Sequence, residues 1–447
     1  MPSHRHIEGM SLTARGMLTA RGMLLHSGFL SKSQYWEADR QEAYQLELCR
    51  KLLISAYENT RYYRRLFHLA DFDPYTSLKS LDDLKKIPIL KKETILQNKS
   101  DMVNGHELRQ SLVLRTSGTT GQPFKSYVSK KHWIVEQGLT WRHWSWMGYR
   151  FRDRMAIIRA YVPKPGEALW KLDNIRNFLY FSAYHLRPEN ISSYVAKLTQ
   201  WRPRFIRGYP SSLYIFARMA KDLGLSVPRA KGILTASETL LPHYRETIEE
   251  VFGGKVFDWY GQAEASITMN ECGVHNGLHI NIEYGVCELN GDPLLRENER
   301  RIVATCLQNY AMPLIRYDTG DIAVIDDEGP CACGRTLPKV KAILGRSDDL
   351  LFTPDGRVIP SVNLYALMYP HVDKIIAFQF IQETVDRLEL RLKTNLFHER
   401  DRDRLRADLV DRFGTSVKID IIQEVDFVQV GEGKTPVIVS KVKNALF

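Results

Sequence analysis

The sequence predicts a large α/β domain followed by a small α+β domain. Apolar segments alternate with helical segments from about residue 112 to residue 325, which is typical of a largely parallel sheet covered by helices. This alternation ends near Gly345, and the rest of the chain has a strand and helix pattern of its own. The chain has 447 residues, more than one ordinary hydrophobic core accommodates.

The elements of the large domain follow from hydrophobic periodicity. A helix is predicted over residues 35–69, where apolar side chains recur at helical spacing among charged ones. Short apolar runs predict strands at Leu112–Leu114, Met155–Ile158, Phe205–Gly208, Gly232–Leu234 and Lys255–Phe257. Helices are predicted at 189–200, 210–223 and 242–252, the last opening with a proline that suits a first turn.

The C-terminal pattern predicts a compact α+β module of about a hundred residues, a usual domain size. Its strands are predicted at 375–382, 385–393 and 417–423, and its helix at 398–413. The first thirty or so residues are basic and poor in acids, which favours a flexible or weakly docked arm. We therefore predict an N-terminal arm at 1–34, a large domain at 35–346 and a mobile lid domain at 347–447.

Composition excludes several classes of protein. The net charge of +10 comes from scattered, mostly interleaved charges, so no nucleic-acid partner is predicted, whereas ligands with several phosphates would suit it. No run of eighteen apolar residues occurs, so no membrane span is predicted. Six cysteines without a secretory signal predict a reducing, cytoplasmic location. The oligomeric state stays open, with a homodimer as one option.

The strongest local signal is a loop rich in hydroxyl groups after the first predicted strand. It consists of Thr116, Ser117, Gly118, Thr119, Thr120 and Gly121. Glycines allow a close approach of the backbone, and amide and hydroxyl groups offer donors to phosphate oxygens. The Gly-Lys-Ser/Thr ending of a Walker loop is missing, and a solvent-exposed turn is the alternative interpretation.

Four further motifs follow in order: DWYGQAE at 258–264, IRYDTGD at 315–321, GRSDD at 345–349 and GEGK at 431–434. With these motifs the chain resembles the adenylate-forming superfamily of acyl-CoA synthetases. Within it, GYPSSL at 208–213 and CACGR at 331–335 resemble the phenylacetate–CoA ligase group with its capsule-biosynthesis and coenzyme F390 synthetase relatives. The resemblance extends from about residue 35 to the C-terminus.

The resemblance implies a site that binds ATP together with Mg²⁺. It implies that the loop 116–121 binds the β- and γ-phosphates, that Glu264 holds Mg²⁺, and that Asp321 binds the ribose. Tyr260 would stack on adenine, and Arg346 would assist Asp321 in binding the nucleotide from the domain junction. The other residues around the nucleotide would be Ala236, Ser237, Glu238, Trp259 and Gly261. Lys434 would act at the α-phosphate from the lid, which would rotate about Asp348.

Two positions depart from the resemblance or have competitors. Lys441 and Lys443 lie close to Lys434 and are alternatives for its role. The phosphate loop places Phe124 where many members have a lysine, so only Lys125 is left there as a phosphate cation.

The close-spaced cysteines suggest a second site. Cys272, His279, Cys331 and Cys333 would form a set of thiolates and an imidazole that suits tetrahedral zinc. His275 is an alternative to His279, and buried thiols without a metal are the alternative to a zinc site.

The implied function is ATP-dependent activation of a carboxylic acid, followed by transfer to the thiol of CoA or of a carrier-protein phosphopantetheine. Tyr209 and Trp259 are placed by the resemblance at the acid, and an aromatic acid would suit them. Trp141, Trp144, Trp146 and Tyr149 would either wall that pocket or form core. The alternatives are an enzyme that adenylylates, or forms amides or esters, without CoA, and a nucleotide-binding protein without turnover.

Overall fold

The structure is a computed structural model of the chain. It describes residues 12–115, 125–159, 161, 163, 166–186, 188–346, 350–354, 358–360, 364, 367–368, 371, 374–423, 426–428 and 436–442. Among these residues, no helix is both long and apolar enough for a bilayer crossing. The predicted phosphate loop at 116–121, the hinge Asp348 and the lysine Lys434 lie outside the described residues.

The described strands are β1 (Leu112–Arg115), β2 (Lys125–Val128), β3 (Met155–Arg159), β4 (Trp170–Asp173), β5 (Phe178–Ser182), β6 (Phe205–Gly208), β7 (Gly232–Ala236), β8 (Lys255–Gly261), β9 (Thr268–Glu271), β10 (Leu278–Ile280), β11 (Gly285–Asn290), β12 (Glu299–Cys306), β13 (Tyr317–Ile325), β14 (Lys339–Arg346), β15 (Leu350–Phe352), β16 (Val358–Pro360), β17 (Ile375–Thr384), β18 (Arg387–Thr394), β19 (Lys418–Gln423) and β20 (Ile438–Ser440).

The described α-helices are α1 (Leu12–Leu25), α2 (Ser31–Ser33), α3 (Ala38–Asn59), α4 (Arg61–Leu69), α5 (Lys92–Met102), α6 (Gly105–Leu108), α7 (Lys130–Trp146), α8 (Pro188–Trp201), α9 (Pro210–Asp222), α10 (Pro242–Phe252) and α11 (Glu399–Phe413). A π-helical turn covers His26–Leu30, and 3₁₀ turns cover Leu81–Lys86 and Ala183–His185.

A twelve-stranded sheet forms the centre of the fold, in the order β11-β12-β13-β14-β10-β9-β8-β7-β6-β3-β5-β4. Strands β5, β3, β6, β7 and β8 are parallel neighbours, and α8, α9 and α10 lie in the connections from β5 to β8, as parallel crossovers require. The α/β class is therefore confirmed. The sheet is mixed, however, because β9 to β14 are joined by loops without helices and pair antiparallel.

Helices cover both faces of the parallel strands. In β3, Ala156 and Ile158 pack in one core with residues of α8, α9 and α10. Met155 and Ile157 pack in another core with Trp144, which belongs to α7. Successive side chains of a strand point to opposite faces, so α7 covers one face and the three crossover helices the other.

The helix predicted over residues 35–69 is two helices, α3 and α4. They break at Thr60, whose backbone is extended, with φ −132° and ψ 137°. The Thr60 hydroxyl accepts a hydrogen bond from Tyr63 N at 3.3 Å and donates one to Ala56 O at 2.7 Å. Threonine is a favoured N-cap because its side chain satisfies a free amide at the helix start.

Residues 12–33 are helical and pack against α7, although the sequence predicts a flexible or weakly docked arm at 1–34. Gly22 of α1 lies so close to α7 that a Cβ there would be 2.5 Å from Gln137 Cβ and 2.8 Å from Gly138 N. Leu18 and Leu30 are buried in the same core. The two glycines explain the docking, because residues without a Cβ allow two helix backbones to approach closely. Residues 1–11 lie outside the described part of the chain.

Another sheet and core lie in the C-terminal part. Strands β19-β18-β17-β20 form a four-stranded sheet, and α11 packs on it through Leu405, Leu409 and Phe413. These elements match the predicted strands and helix to within about two residues, the usual spread of element ends. The boundary between residues 346 and 347 stays a prediction.

Candidate active site and cysteine cluster

A pocket lies between α7 and the carboxyl ends of β6, β7 and β8. Its volume is about 420 Å³ with the open solvent at its mouth included. Its lining consists of Thr140, His143, Trp144, Arg207, Leu234, Thr235, Ala236, Ser237, Trp259 and Gly261. The carboxyl ends of parallel strands are where open α/β sheets bind ligands. Four of the predicted site residues, Ala236, Ser237, Trp259 and Gly261, therefore share one pocket.

The predicted adenine and ribose residues are in direct contact. The Tyr260 hydroxyl donates a hydrogen bond to Asp321 Oδ2 at 2.6 Å, which joins β8 to β13. Burial and the Asp321 carboxylate raise the pKa of Tyr260 well above its usual range, so the hydroxyl keeps its proton. Asp321 also pairs through its backbone with Arg346 of β14, of which only the backbone is described. The structure thus brings the side chains of Tyr260 and Asp321 together and places the backbone of Arg346 on the neighbouring strand.

The predicted magnesium ligand lies in the turn between β8 and β9. Glu264 is only 4% exposed. The next residue, Ala265, has a φ of 59°, and its carbonyl accepts a hydrogen bond from His132 Nε2 of α7 at 2.7 Å. Helix α7 therefore fixes the turn that carries this carboxylate. A buried carboxylate requires a cation or hydrogen bonds to offset its lost hydration.

The segment Ala236–Glu238 is held from two sides. The Arg159 guanidinium donates to Ser237 Oγ at 3.0 Å and lies 4.3 Å from the centre of the Tyr209 ring. Glu238 Oε2 accepts a hydrogen bond at 3.0 Å from the backbone N–H of Ser211, in the first turn of α9. An acidic side chain is stabilised at a helix N-terminus by the free N–H groups there. Glu238 thus fixes the loop against α9.

The aromatic cluster on α7 is divided between core and pocket. Trp144 lines the pocket and is 5% exposed, while Tyr149 packs beneath it with ring centres 5.1 Å apart. Trp141 packs on the same core from a partly buried position. Trp146 points elsewhere, since its ring lies 5.8 Å from His279.

The four predicted metal-binding side chains converge on one point. The ligand atoms of Cys272, His279, Cys331 and Cys333 all lie within 4.8 Å of one another. Cys272 Sγ is 3.7 Å from Cys331 Sγ, and Cys333 Sγ is 3.4 Å from His279 Nε2. The competing His275 is turned to Glu271, with Nδ1 3.3 Å from Oε1.

Local backbone geometry explains how a C-x-C pair supplies two ligands. The Gly334 N–H donates to Cys331 O at 3.0 Å, and Gly334 has a φ of 76°. This tight turn places both thiols on the same side, because glycine adopts the left-handed conformation without strain. His279 is fully buried on β10, and its Nδ1 donates to Leu337 O at 3.2 Å, so Nε2 is the nitrogen that faces the thiols.

The cluster is connected to α7 and to the N-terminal segment. The Arg335 guanidinium stacks 4.2 Å from the Trp146 ring. Gln34 Oε1 accepts hydrogen bonds from Arg335 Nε at 2.8 Å and from Trp146 Nε1 at 2.9 Å. Helix α7 therefore forms part of both sites.

Sequence reasoning missed two arginines beside the pocket. Arg207 lines the pocket from β6, and Arg159 lies at the end of β3. The signal that could have identified them is an arginine at or next to the end of a short apolar strand. This pattern occurs in MAIIR at 155–159 and in FIRG at 205–208.

Comparison with known proteins gives consistent matches. Residues 351–441 match the family model of the CapK C-terminal domain. Protein CapK of Staphylococcus aureus is 26% identical over 354 residues, which are 75% of each chain. A phenylacetate-coenzyme A ligase of Thermus thermophilus is 28% identical over 401 residues, which are 83% of this chain and 86% of the relative.

Among solved structures, this chain is similar to 2-hydroxyisobutyryl-CoA ligase in the postadenylation state in complex with 2-HIB-AMP. The TM-score is 0.71 at 20% identity, with 92% of this chain and 93% of the other covered. At this identity the likeness concerns the fold. The chain is thus similar in sequence to CapK and to a phenylacetate-coenzyme A ligase, its C-terminal part matches the CapK C-terminal domain, and its fold is that of an acyl-CoA ligase.

Proposed function

We propose that this chain activates a carboxylic acid with ATP as the acyl-adenylate and then transfers the acyl group to a thiol. The supporting observation is the pocket lined by Ala236, Ser237, Trp259 and Gly261 beside the hydrogen-bonded Tyr260 and Asp321. Relatives named phenylacetate-coenzyme A ligase and 2-hydroxyisobutyryl-CoA ligase agree with an acid–thiol ligase. The thiol is that of CoA or of a carrier-protein phosphopantetheine.

The reaction has two steps in one pocket. First, an oxygen of the carboxylate bonds to the α-phosphorus of ATP, and the bond from that phosphorus to pyrophosphate breaks. The resulting mixed anhydride is electrophilic, which a free carboxylate is not. Second, the thiolate sulfur bonds to the acyl carbon, the bond from that carbon to the AMP oxygen breaks, and AMP leaves.

The nucleotide would lie at the mouth of the pocket. The Tyr260 ring would stack on adenine, since a large flat ring offers apolar contact area. Asp321, oriented by the Tyr260 hydroxyl, would accept hydrogen bonds from the ribose, and Arg346 lies on the strand beside it. The loop 116–121 would bind the phosphates with its hydroxyl and amide groups.

Two charged groups would serve the α-phosphate. Glu264, held in the turn before β9, would bind Mg²⁺, a hard cation that takes carboxylate and phosphate oxygens. Lys434 would bring a positive charge from the lid at 347–447 during adenylation. Rotation of that lid about Asp348 would then remove Lys434 and admit the thiol, so that one domain serves both half-reactions.

The acid would occupy the inner pocket, with Tyr209 and Trp259 near the reacting carboxylate and Trp144 on the wall formed by α7.

The proposed location of the protein is a reducing compartment such as the cytoplasm, which agrees with six free cysteines.

The cysteine cluster is proposed to hold zinc in a structural role. Zn–S bonds of about 2.3 Å and Zn–N bonds of about 2.0–2.1 Å give tetrahedral edges of roughly 3.8 Å between sulfurs and 3.6 Å from sulfur to nitrogen. The distances of 3.7 Å between Cys272 and Cys331 and 3.4 Å from Cys333 to His279 fit these edges. Burial lowers the pKa of His279 to about 4, so its imidazole is neutral as a ligand must be. Four protein ligands leave no open position for catalysis.

A pyrophosphate-release screen tests the proposed function. Purified protein with MgATP is given a panel of carboxylic acids, with and without CoA, and thioester formation is measured for each acid that releases pyrophosphate. Glu264→Gln should abolish acid-dependent release, because an amide is a poor Mg²⁺ ligand. The matched control Glu246→Gln, an exposed residue of α10, should leave the rate unchanged. Pyrophosphate release at the wild-type rate in Glu264→Gln would contradict the metal role, and release without dependence on any acid would contradict the reaction.

A further inference from the structure

Two buried arginines lie on the face of the sheet that α7 covers. Arg207 is 6% exposed and Arg159 is 3% exposed. Their strands β6 and β3 are parallel neighbours, and both side chains alternate with residues that face the crossover helices, Ile206 and Ile158. Two positive charges therefore point to the same side of the parallel strands, where the pocket lies.

Arg207 has no ionic or hydrogen-bonding partner among the described residues. Its contacts there are with rings, above all Trp144, whose ring centre is 5.5 Å from the guanidinium carbon. Burial and the neighbouring charge of Arg159 lower the pKa of Arg207 to about 9, so the group stays charged at neutral pH. Buried charges are normally paired, because removing an unpaired charge from water is unfavourable.

A third buried arginine provides the contrast. Arg142 of α7 is fully buried, and its guanidinium donates to both oxygens of Glu283, at 2.6 and 3.1 Å. It also donates to Asn281 Oδ1 at 2.7 Å. This arginine has the partners that a buried charge requires, whereas the one in the pocket has none in the described part of the chain.

Arg207 lies on the inner side of the pocket, away from the proposed nucleotide site. Across the parallel strands it is in register with Leu234, which is in register with Phe257. Gly261, which lines the pocket and has the same facing as Phe257, lies four residues further along β8, which corresponds to about 13 Å along the strand direction. Gly261 is one of the residues proposed to surround the nucleotide. An anion bound by this arginine would therefore be at the far end of an acid whose reacting carboxylate lies at the nucleotide.

We propose that the acid activated by this protein carries a second anionic group, a carboxylate or a group of similar charge, and that Arg207 binds it. This inference rests on the proposed function. Trp144, Trp259 and Leu234 provide the apolar wall for the part of the acid between its two charged ends. Arg159 adds positive potential and fixes Ser237, so a bound anion compensates two charges that otherwise repel each other.

The test compares acids that differ only in the second charge. Phenylacetate is paired with 3- and 4-carboxyphenylacetate, and pentanoate with glutarate, and kcat/KM for pyrophosphate release is measured for each acid. At least one diacid should exceed its matched monoacid by roughly 10- to 100-fold, the effect of a charge-assisted hydrogen bond to a buried group.

Variants then assign the preference to the arginine. Arg207→Met should lower kcat/KM for the diacids far more than for the monoacids, because it replaces a charge by an apolar side chain of similar length. Arg207→Lys keeps the charge and should keep part of the preference. Arg404→Met, an exposed residue of α11, is the matched control and should change neither rate.

The outcomes separate this inference from the proposed function. If no acid supports pyrophosphate release, the proposed function fails and this inference fails with it. If monoacids are activated as well as diacids by the wild-type protein, the inference is wrong and the proposed function stands, whether or not Arg207→Met folds. A rise in KM for ATP in place of KM for the diacid, in either Arg207 variant, would assign the arginine to a nucleotide phosphate and also overturn the inference.

Discussion

The docking of α1 on α7 can be tested with a single methyl group. Gly22→Ala would place a Cβ 2.5 Å from Gln137 Cβ and 2.8 Å from Gly138 N. Carbon atoms pack best at about 3.5–4.0 Å, so the two helices would have to separate by roughly 1 Å. Gly28, in the π-helical turn that follows α1, has no atom within 4 Å of the same added Cβ and provides the matched control.

The expected magnitudes follow from two opposing effects. Alanine is more favourable than glycine in a helix by about 1 kcal/mol, which applies to both variants. Overpacking of a close contact costs about 1–3 kcal/mol, which applies only to Gly22→Ala. The difference in the free energy of unfolding between Gly22→Ala and Gly28→Ala should therefore be about 1–3 kcal/mol, with Gly28→Ala the more stable protein.

Urea unfolding and amide hydrogen exchange measure this difference. Exchange in residues 12–33 reports local opening of α1, and the urea midpoint reports global stability. Gly22→Ala should lose protection in this segment, and Gly28→Ala should keep it. Equal protection and equal midpoints in the two variants would show that α1 does not pack on α7, and would restore the flexible arm that the sequence predicted.

Two further predictions concern the sites, and a third concerns the buried His243 of α10. Tyr260→Phe keeps the ring but removes the hydroxyl that orients Asp321, so KM for ATP should rise roughly 10-fold, the effect of losing a hydrogen bond to a charged group. Tyr260→Ala should raise KM for ATP further. An unchanged KM for ATP in Tyr260→Phe would refute the role of Asp321 at the ribose. Elemental analysis should find about one zinc per chain, and Cys333→Ser should lose most of it, whereas metal-free wild-type protein would leave the cluster as buried thiols. Burial lowers the pKa of His243 from 6.5 to about 4, so the unfolded chain binds more protons and stability is lost as the pH falls from 6.5 towards 4. His243→Phe keeps the ring packing on Tyr214 and should make the loss of stability in that pH range less steep; an unchanged pH profile of the urea midpoint would contradict this assignment.

Local periodicity was sufficient for four of the five parallel strands, β3, β6, β7 and β8, and for the three crossover helices, whereas β5 was not predicted. Strands such as β6 and β7 are short, fully buried and separated by amphipathic helices, which is a pattern that a sequence displays directly. The antiparallel half was not predicted, because pairing of β10 with β14 joins residues about sixty positions apart and leaves no local signal. The break at Thr60 was missed because apolar spacing continues through it.

The site residues could likewise be predicted from the sequence only in part. The four candidate zinc ligands were predicted from residue type, and the structure brings their ligand atoms within 4.8 Å of one another, but the sequence could not choose between His275 and His279. That choice depends on the hairpin between β9 and β10, which directs His275 to Glu271 and His279 to the thiols. Arg207 was missed because an arginine is usually exposed, and its burial arises only when α7 covers its strand.

The N-terminal segment also has a consequence for producing this protein in the laboratory. A chain shortened to begin at residue 35 would retain every recognised motif. It would, however, lose the Leu30 carbonyl and the Ser33 hydroxyl that contact Arg142 and Glu283, and Gln34, which bridges Arg335 and Trp146. Buried charges and an apolar face of α7 would then be uncovered, so expression boundaries chosen from motifs alone would yield an aggregation-prone product.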